Sequence, residues 1–237
     1  MGNIDYESKM NSKSYRFFDL LYRLLVINLI VVILSVTIVL IYPAAVAAMR
    51  TLKDGNTGDN VFKQYFINFK TYFKKSFLVG LIFIILYAVL AYAIYFYGVS
   101  KVKDGETDNV LQEFLNIGFL VSFVGFILLT FIQAHAPLLI MTFKSLTVGE
   151  LLKTTFFVTF YRILSTLIIF IFDIIMIGGI TLAFLFDARI LAIWLLVGVS
   201  LPMFLIVKIT YVVYSDFEKV NLEKIMHRIE EEEDDEK

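Results

Sequence analysis

The chain contains no cysteine and only two histidines, His135 and His227, in 237 residues. Without cysteine it has no disulfide, no thiolate nucleophile, no iron–sulfur ligation and no cysteine zinc site of its own. Two histidines cannot form a metal site built from several histidines. We therefore expect neither a metal ion nor a cofactor.

The chain also lacks an excess of either charge, since its formal net charge is −1 and charged residues make up only 18% of it. This balance gives no reason to expect a nucleic-acid partner, and we expect none. Catalytic motifs are missing as well: there is no Gly-x-Ser-x-Gly, no His-Glu-x-x-His and no glycine-rich phosphate loop before Lys-Ser/Thr. We expect no catalytic residues and a protein that is not an enzyme.

Apolar residues are abundant instead, at 59% of the chain, and they are concentrated in long blocks. A helix of about 20 apolar residues crosses the roughly 30 Å of bilayer hydrocarbon. The blocks predict an all-α membrane protein with about five transmembrane helices, whose partner is the lipid bilayer. We predict an N-terminal tail and helix lead-in at 1–23, a transmembrane domain at 24–207 and a charged cytoplasmic tail at 208–237. The predicted spans are 24–42, 78–98, 114–140, 163–186 and 190–207.

The first block has a second interpretation, because Ala45-Val46-Ala47 imitates a signal-peptidase site. However, the residues before the block are numerous and partly acidic, and the block exceeds the roughly 7–15 apolar residues of a signal peptide. An uncleaved span is the favoured interpretation.

An amphipathic helix is predicted at 61–77, between the first two spans. Its aromatic residues fall on one helical face and its lysines lie mainly on the other, which is typical of a helix in the lipid headgroup region. The alternative is a helix that packs on the core of a soluble loop domain, but no other soluble stretch is available to form such a core. The predicted membrane-surface or partner-binding residues are Arg50, Lys63, Lys70, Lys74 and Lys75.

Basic residues predict the orientation, because they are enriched on the cytoplasmic side of a membrane. Five spans put the two termini on opposite sides. The side that carries the C-terminus and both amphipathic connections holds more lysine and arginine than the N-terminal side. We predict an N-terminus outside and a C-terminus in the cytoplasm, although the basic N-terminal tail opposes this orientation.

Polar residues inside predicted spans are candidates for function, because burying them in lipid is costly. Asp173 lies near the middle of the fourth span, where it would bind a cation, carry a proton or serve as a hydrogen-bonded structural acid. Gln133 and His135 would line a solute path, satisfy backbone groups freed by Pro137 or contact lipid headgroups. Asn28 is most simply an interhelical hydrogen-bond partner.

One stretch of the chain resembles a known family. Tyr42-Pro43-Ala44-Ala45-Val46-Ala47-Ala48-Met49-Arg50 is followed by Gly55, by Val61-Phe62-Lys63-Gln64-Tyr65-Phe66 and by Phe73-Lys74-Lys75. This pattern resembles the YesL family of bacterial integral membrane proteins, whose shared domain has no known function, and Ala136-Pro137-Leu138-Leu139 is similar to the family's second proline-containing stretch. Its members often occur beside genes for oligosaccharide uptake. The resemblance implies a cell-membrane location and an accessory role in carbohydrate uptake, with a sugar permease as a possible partner.

Three functions therefore stay open. The chain is an accessory component associated with carbohydrate uptake, an autonomous transporter of a small solute or ion that uses Asp173, or a protein that binds lipid headgroups through its lysines. The sequence gives no oligomeric state.

Overall fold

The computed structural model describes residues 13–55, 60–103, 109–185 and 188–210. All regular elements in these ranges are helices, which confirms the predicted all-α class. A 3₁₀ turn at Ile38–Leu40 joins the first two α-helices. The α-helices of the described ranges are α1 Lys13–Ser35, α2 Ile41–Asp54, α3 Val61–Lys103, α4 Asn109–Thr142, α5 Val148–Tyr161, α6 Ile163–Leu185, α7 Ala188–Val197 and α8 Ser200–Thr210.

Three described segments are long and apolar enough to cross a membrane by themselves: Lys13–Ser35, Val61–Val99 and Gln112–Thr142. Two further segments pass the same test only as bent pairs. α5 and the first part of α6 meet at 101°, and α7 and α8 meet at 45°. By length and composition, the described chain therefore has three helices that could cross a membrane, or up to five if each bent pair is one span, and it has the character of a multi-pass membrane protein.

The first predicted span, 24–42, does not coincide with a single helix. α1 ends at Ser35, and the chain turns before α2 begins at Ile41. α2 then runs back along α1, as the contact between its end and α1 shows: Gly55 lies so close to the guanidinium of Arg23 that a side chain at position 55 would collide with it. Apolar residues continue through the turn, so composition alone does not reveal this hairpin. Pro43 occupies the first turn of α2, where its missing N–H costs no hydrogen bond.

The predicted helix at 61–77 and the predicted span at 78–98 form one continuous helix, α3, of 43 residues. At 1.5 Å per residue its length is about 65 Å, roughly twice the thickness of the hydrocarbon layer. Along its first half, one face is buried and carries Val61, Tyr65 and Tyr72. This half therefore packs one of its faces on other helices of the described chain.

A hydrophobic core lies where four elements meet: α2, the first half of α3, the end of α4, and α5. The residues from Ala134 to Met141 at the end of α4 are all buried, as are most of the residues in α2. The sequence fails to indicate this core because its members come from blocks that resemble membrane spans. Its buried hydrophobic residues include Val46, Ala47, Tyr65, Tyr72, Leu138, Leu139, Ile140, Leu151 and Val158.

The later predicted spans agree with helices to different degrees. Residues 114–140 lie within α4, which continues unbroken past Pro137. Residues 163–186 correspond to α6 at Ile163–Leu185, and residues 190–207 are divided by the break between α7 and α8. Of the predicted tail at 208–237, residues 211–237 lie outside the described ranges, as do residues 1–12 of the predicted N-terminal tail.

Candidate functional site

Asp173 is the centre of the candidate site. It lies on α6, in the middle of the most apolar part of that helix, and its side chain is partly buried. Its carboxylate is close enough to interact electrostatically with the hydroxyl groups of Tyr42 on α2 and Tyr87 on α3. The fold thus brings one acidic and two phenolic groups together from three helices.

α4 fixes the two tyrosines from the side. The hydroxyl of Tyr87 donates to Oγ1 of Thr130 at 3.2 Å, and the hydroxyl of Thr130 donates in turn to the carbonyl of Phe126 at 2.9 Å. The hydroxyl of Tyr42 donates to the carbonyl of Gln133 at 3.3 Å. Thr130 and Gln133 are three residues apart and share one face of α4.

The bond from Tyr42 follows from the proline in α4. In an unbroken helix the carbonyl of Gln133 would accept from the N–H of residue 137, but Pro137 has none. Tyr42 supplies the missing donor. Tyr42 also lies very close to α3, and Gly80 on α3 makes room for it, because a Cβ at position 80 would lie 2.6 Å from Cβ of Tyr42.

Gln133 contributes an unused acceptor to the same region. Its side-chain oxygen Oε1 is buried and has no hydrogen-bond partner. An unpaired buried acceptor is costly, and in a native protein it calls for an explanation such as a proton donor or ion that binds there. Gln133 and Asp173 thus both lie in the membrane-embedded part of the chain, but no contact between their side chains is established.

His135 lies at a different site, where α4 contacts the beginning of α6. It is fully buried, and its Nε2 lies 2.7 Å from Oγ1 of Thr166 on α6. The hydroxyl of Thr166 lies 2.9 Å from the carbonyl of Thr159 on α5, to which it donates. The direction of the His135–Thr166 bond depends on the tautomer of the imidazole. His135 therefore supports the 101° bend between α5 and α6.

Asn28 has the same kind of role at the second bend. Its side chain is fully buried, and Nδ2 donates to the carbonyls of Trp194 at 3.3 Å and Leu195 at 2.6 Å. Its Oδ1 accepts from the backbone N–H groups of Val199 and Ser200, both at 2.9 Å. One side chain thus satisfies backbone groups on both sides of the break between α7 and α8, as a membrane interior demands.

The five predicted basic residues divide into two groups. Arg50 and Lys75 are engaged at the end of α4: Nη1 of Arg50 donates to the carbonyl of Met141 at 3.1 Å, and Nζ of Lys75 donates to that of Lys144 at 2.6 Å. Cations at this position complement the unpaired carbonyls and negative dipole of a helix C-terminus. Arg50 also pairs with Asp54.

The other three residues, Lys63, Lys70 and Lys74, are exposed on α3. Beside them runs a series of phenylalanine rings in successive contact, with centroids 4.7 to 6.4 Å apart. Phe62 and Phe66 at the start of the series are exposed. The start of the series is therefore free within the described chain to contact lipid or another protein, whereas Phe69 packs against the core. The rings of the series are Phe62, Phe66, Phe69, Phe73 and Phe77.

The sequence alone does not identify Tyr42, Tyr87 and Thr166 as members of these clusters. Aromatic residues in spans usually mark the membrane boundary, and threonine is a common, inconspicuous residue in apolar helices. One signal was available for Tyr42. Pro137 must leave a carbonyl without its helical donor, so a hydroxyl from another helix is a reasonable partner to look for.

The cluster around Asp173 suits a proton or a small cation. A carboxylate within electrostatic range of two phenolic hydroxyl groups offers an acceptor to a positive charge, and its partial burial removes some of the solvent that normally stabilises it. Among the described residues, no three histidine, aspartate or glutamate side chains gather as a metal site. The cluster therefore offers one acidic ligand, supplemented by neutral oxygens.

Comparison with known proteins identifies one similar family. The model of a family described as "Protein of unknown function, DUF624" matches residues 24–94. The match covers less than a third of the chain, from α1 to the second half of α3, and includes Asn28, Tyr42 and Tyr87 but not Asp173. Comparisons with curated proteins and with solved structures find no match. The similarity to a domain of unknown function agrees with the resemblance described above, and the YesL assignment itself stays a prediction.

Proposed function

We propose that this membrane protein binds a proton or another small cation at Asp173 and transports it, alone or together with a solute, across the membrane. The observation that carries the proposal is the grouping of Asp173 with Tyr42 and Tyr87. An acidic residue within a span is costly, and such residues commonly mark ion and proton pathways. The proposal assigns no catalytic step to the chain.

The position of the cluster adds support. Its members come from α2, α3 and α6, and both hydroxyl groups are held against α4. Many transporters bind their ions near the middle of the membrane, and movement of one group of helices against another alternates the access to the site. We propose that binding at Asp173 is coupled to the relative position of α6 and α4.

Proton flux into liposomes tests this function. The purified chain is reconstituted with a pH-sensitive dye inside, and a potassium diffusion potential drives cations inward. Asp173→Asn should abolish the flux, because it removes the charge but keeps the shape, and Asp173→Glu should retain part of it. Glu113→Gln is the matched control, since Glu113 is an exposed acid on α4 and its loss should change nothing.

Two results would count against the proposal. One is equal flux from the parent chain and Asp173→Asn, with both variants correctly folded by size-exclusion chromatography and Trp194 fluorescence. The other is no flux of protons, sodium or potassium from the parent chain above that of empty liposomes. Repeating the assay with each cation separately identifies the ion.

The second candidate function is an accessory component in carbohydrate uptake, located in the bacterial cell membrane. It rests on the family resemblance, and the exposed face of α3 with Lys63, Lys70 and Lys74 is the surface that we assign to a permease. Since the chain lacks cysteine, Lys70→Cys gives a single crosslinking site. Crosslinking in native membranes to a sugar permease would support this role, and recovery of the uncrosslinked chain where the permease is abundant would contradict it. Lys153→Cys on α5 is the control site.

The hairpin of α1 and α2 affects the proposed orientation. The predicted N-terminus outside requires the chain to cross the membrane before Pro43. Instead, Arg23 in α1 lies against Gly55 at the end of α2. We propose that the N-terminal half of α1 and the basic segment of α3 are on the same side of the membrane, in the cytoplasm. The basic residues near the N-terminus then agree with the positive-inside rule.

A further inference from the structure

We propose that α5 lies in the plane of the membrane surface and that its exposed aromatic face binds the boundary between lipid headgroups and acyl chains. This inference is independent of any transport through Asp173. It concerns the shorter helix of the bent pair, which lies in an amphipathic connection between two predicted spans.

The direction of α5 is the first observation. The axes of α5 and α6 meet at 101°, so that α5 is nearly perpendicular to α6. α6 contains 23 residues of almost uninterrupted apolar sequence, which is enough to cross the hydrocarbon layer. α5 has 14 residues and a length of about 21 Å, which is too short for a crossing. If α6 crosses the membrane, α5 runs along its surface.

The two faces of α5 are the second observation. Leu151, Thr155, Val158 and Thr159 are buried against the rest of the protein. The opposite face carries four aromatic rings, each between 51% and 62% exposed, that line a shallow depression of about 520 Å³. Such a concentration of exposed rings indicates a surface that is covered in the native environment. The rings are Phe156, Phe157, Phe160 and Tyr161.

Contacts at both ends hold α5 in this direction. At its start, Thr147 and Glu150 form a capping box. At its end, the guanidinium of Arg162 lies 5.3 Å from the ring centre of Tyr161, and the carbonyl of Thr159 accepts from Thr166. His135 fixes that threonine from α4. The bend is thus part of the packed fold, and α5 does not simply continue α6.

Continuity with the lipid-facing surface identifies the occupant as lipid. Directly after α5, the first turns of α6 carry further exposed apolar side chains, namely Ile163, Leu164 and Leu167. The aromatic face of α5 thus extends a surface that a crossing helix presents to acyl chains. Lys153 is exposed among the rings, and its long side chain can reach anionic headgroups while its stem stays in the apolar layer. Aromatic rings with a nearby cation are typical of this boundary.

The test measures the depth of a spin label on α5. Phe157→Cys provides the only thiol in the chain, and the labelled protein is reconstituted into bilayers of phosphatidylethanolamine and phosphatidylglycerol. Collision rates with oxygen and with a water-soluble nickel complex give the depth. Leu128→Cys, exposed in the middle of α4, is the deep control, and Lys74→Cys on the basic part of α3 is the aqueous control.

We expect the label at position 157 to lie about 5–10 Å below the headgroups, between the two controls. A depth equal to that of the Leu128→Cys label would overturn the proposal, because α5 would then be part of a span. Nickel accessibility equal to that of Lys74→Cys would overturn it as well, since the rings would face water. Protection from both reagents would show that protein covers the face, and crosslinking through position 157 would distinguish a second copy from another partner.

Discussion

His135 and Thr166 form a buried hydrogen bond of 2.7 Å that joins α4 to the bend between α5 and α6. The hydroxyl of Thr166 in turn donates to the carbonyl of Thr159. That carbonyl has no backbone N–H partner further along the helix, because the chain turns at Arg162. The polar groups around this bend are thus part of one network. All three side chains are buried, so solvent cannot replace a missing member.

His135→Leu should therefore destabilise the protein. It leaves the Thr166 hydroxyl without the ring nitrogen, and a buried polar group that loses its partner costs about 1–3 kcal/mol. Thr166→Val should cost a similar amount. The double variant should cost less than the sum, because both changes break the same bond. Thermal unfolding in detergent measures all three, and strictly additive losses would show that the two residues act separately.

Asn28→Leu should separate α1 from the α7–α8 break. Four hydrogen bonds to backbone groups are lost, and we expect a loss of about 1–3 kcal/mol together with a change in the emission of Trp194, whose carbonyl accepts one of them. Asn68→Leu is the control, since the described bond of Asn68 is a single one to Thr51. An Asn28 variant as stable as the Asn68 variant would show that the break needs no support from α1.

The neighbouring glycines of α6 provide a matched pair. A Cβ at Gly179 would lie 2.7 Å from the ring of Trp194, whereas a Cβ at Gly178 would have no atom within 4 Å. Gly179→Ala should thus push α7 away from α6 and cost about 1–3 kcal/mol. Gly178→Ala should be nearly neutral. Thermal unfolding and Trp194 fluorescence decide the outcome, and similar effects from both changes would contradict this packing.

The cap of α5 should depend on pH. Bonds from the backbone N–H and then the hydroxyl of Thr147 hold the pKa of Glu150 below its ordinary value of 4.5. A lowered folded-state pKa means that the stabilisation is complete above the unfolded-state value and is lost as the pH falls through the folded-state value. A spin label at Gly149→Cys should become more mobile as the pH is lowered below 4.5. Adding Glu150→Gln should remove this pH dependence, and an identical transition in both proteins would assign it to another group.

Cysteine accessibility tests the orientation of the α1–α2 hairpin. Ser14→Cys and Lys74→Cys should react with a membrane-impermeant maleimide from the same side of sealed vesicles. Tyr95→Cys, near the other end of α3, should react from the opposite side. If positions 14 and 95 reacted from the same side, the result would instead support the orientation predicted from the count of basic residues.

The sequence predicts the helices of this fold better than their paths. Long apolar blocks indicate α4 and α6 with boundaries close to those observed, because the bilayer sets their length. The reversal between Ser35 and Ile41 lies within apolar sequence on both sides, so no change in composition marks it. Pro43 would suggest a helix boundary at its own position, but it lies in the first turn of α2, where a proline is tolerated and does not end a helix.

The candidate site is predictable only in part for a similar reason. Asp173 is conspicuous, because a carboxylate in an apolar block is rare. Its neighbours Tyr42 and Tyr87 are placed by tertiary packing of α2 and α3, which local sequence patterns do not encode. The contacts of Arg50 and Lys75 are not predictable from the sequence either. Both look like surface cations in the sequence, but the fold uses them at the end of α4.

The bonds of Asn28 also have a consequence for the order of assembly in the cell. Asn28 and its partners are separated by 166 to 172 residues, so α1 enters the membrane long before α7 and α8 have been synthesised. Until then its amide must find temporary partners, such as water or a component of the insertion machinery. Closing this contact joins the two ends of the described chain and is a natural last step of folding. A chain truncated before α7 should therefore insert but remain a target for quality-control proteolysis.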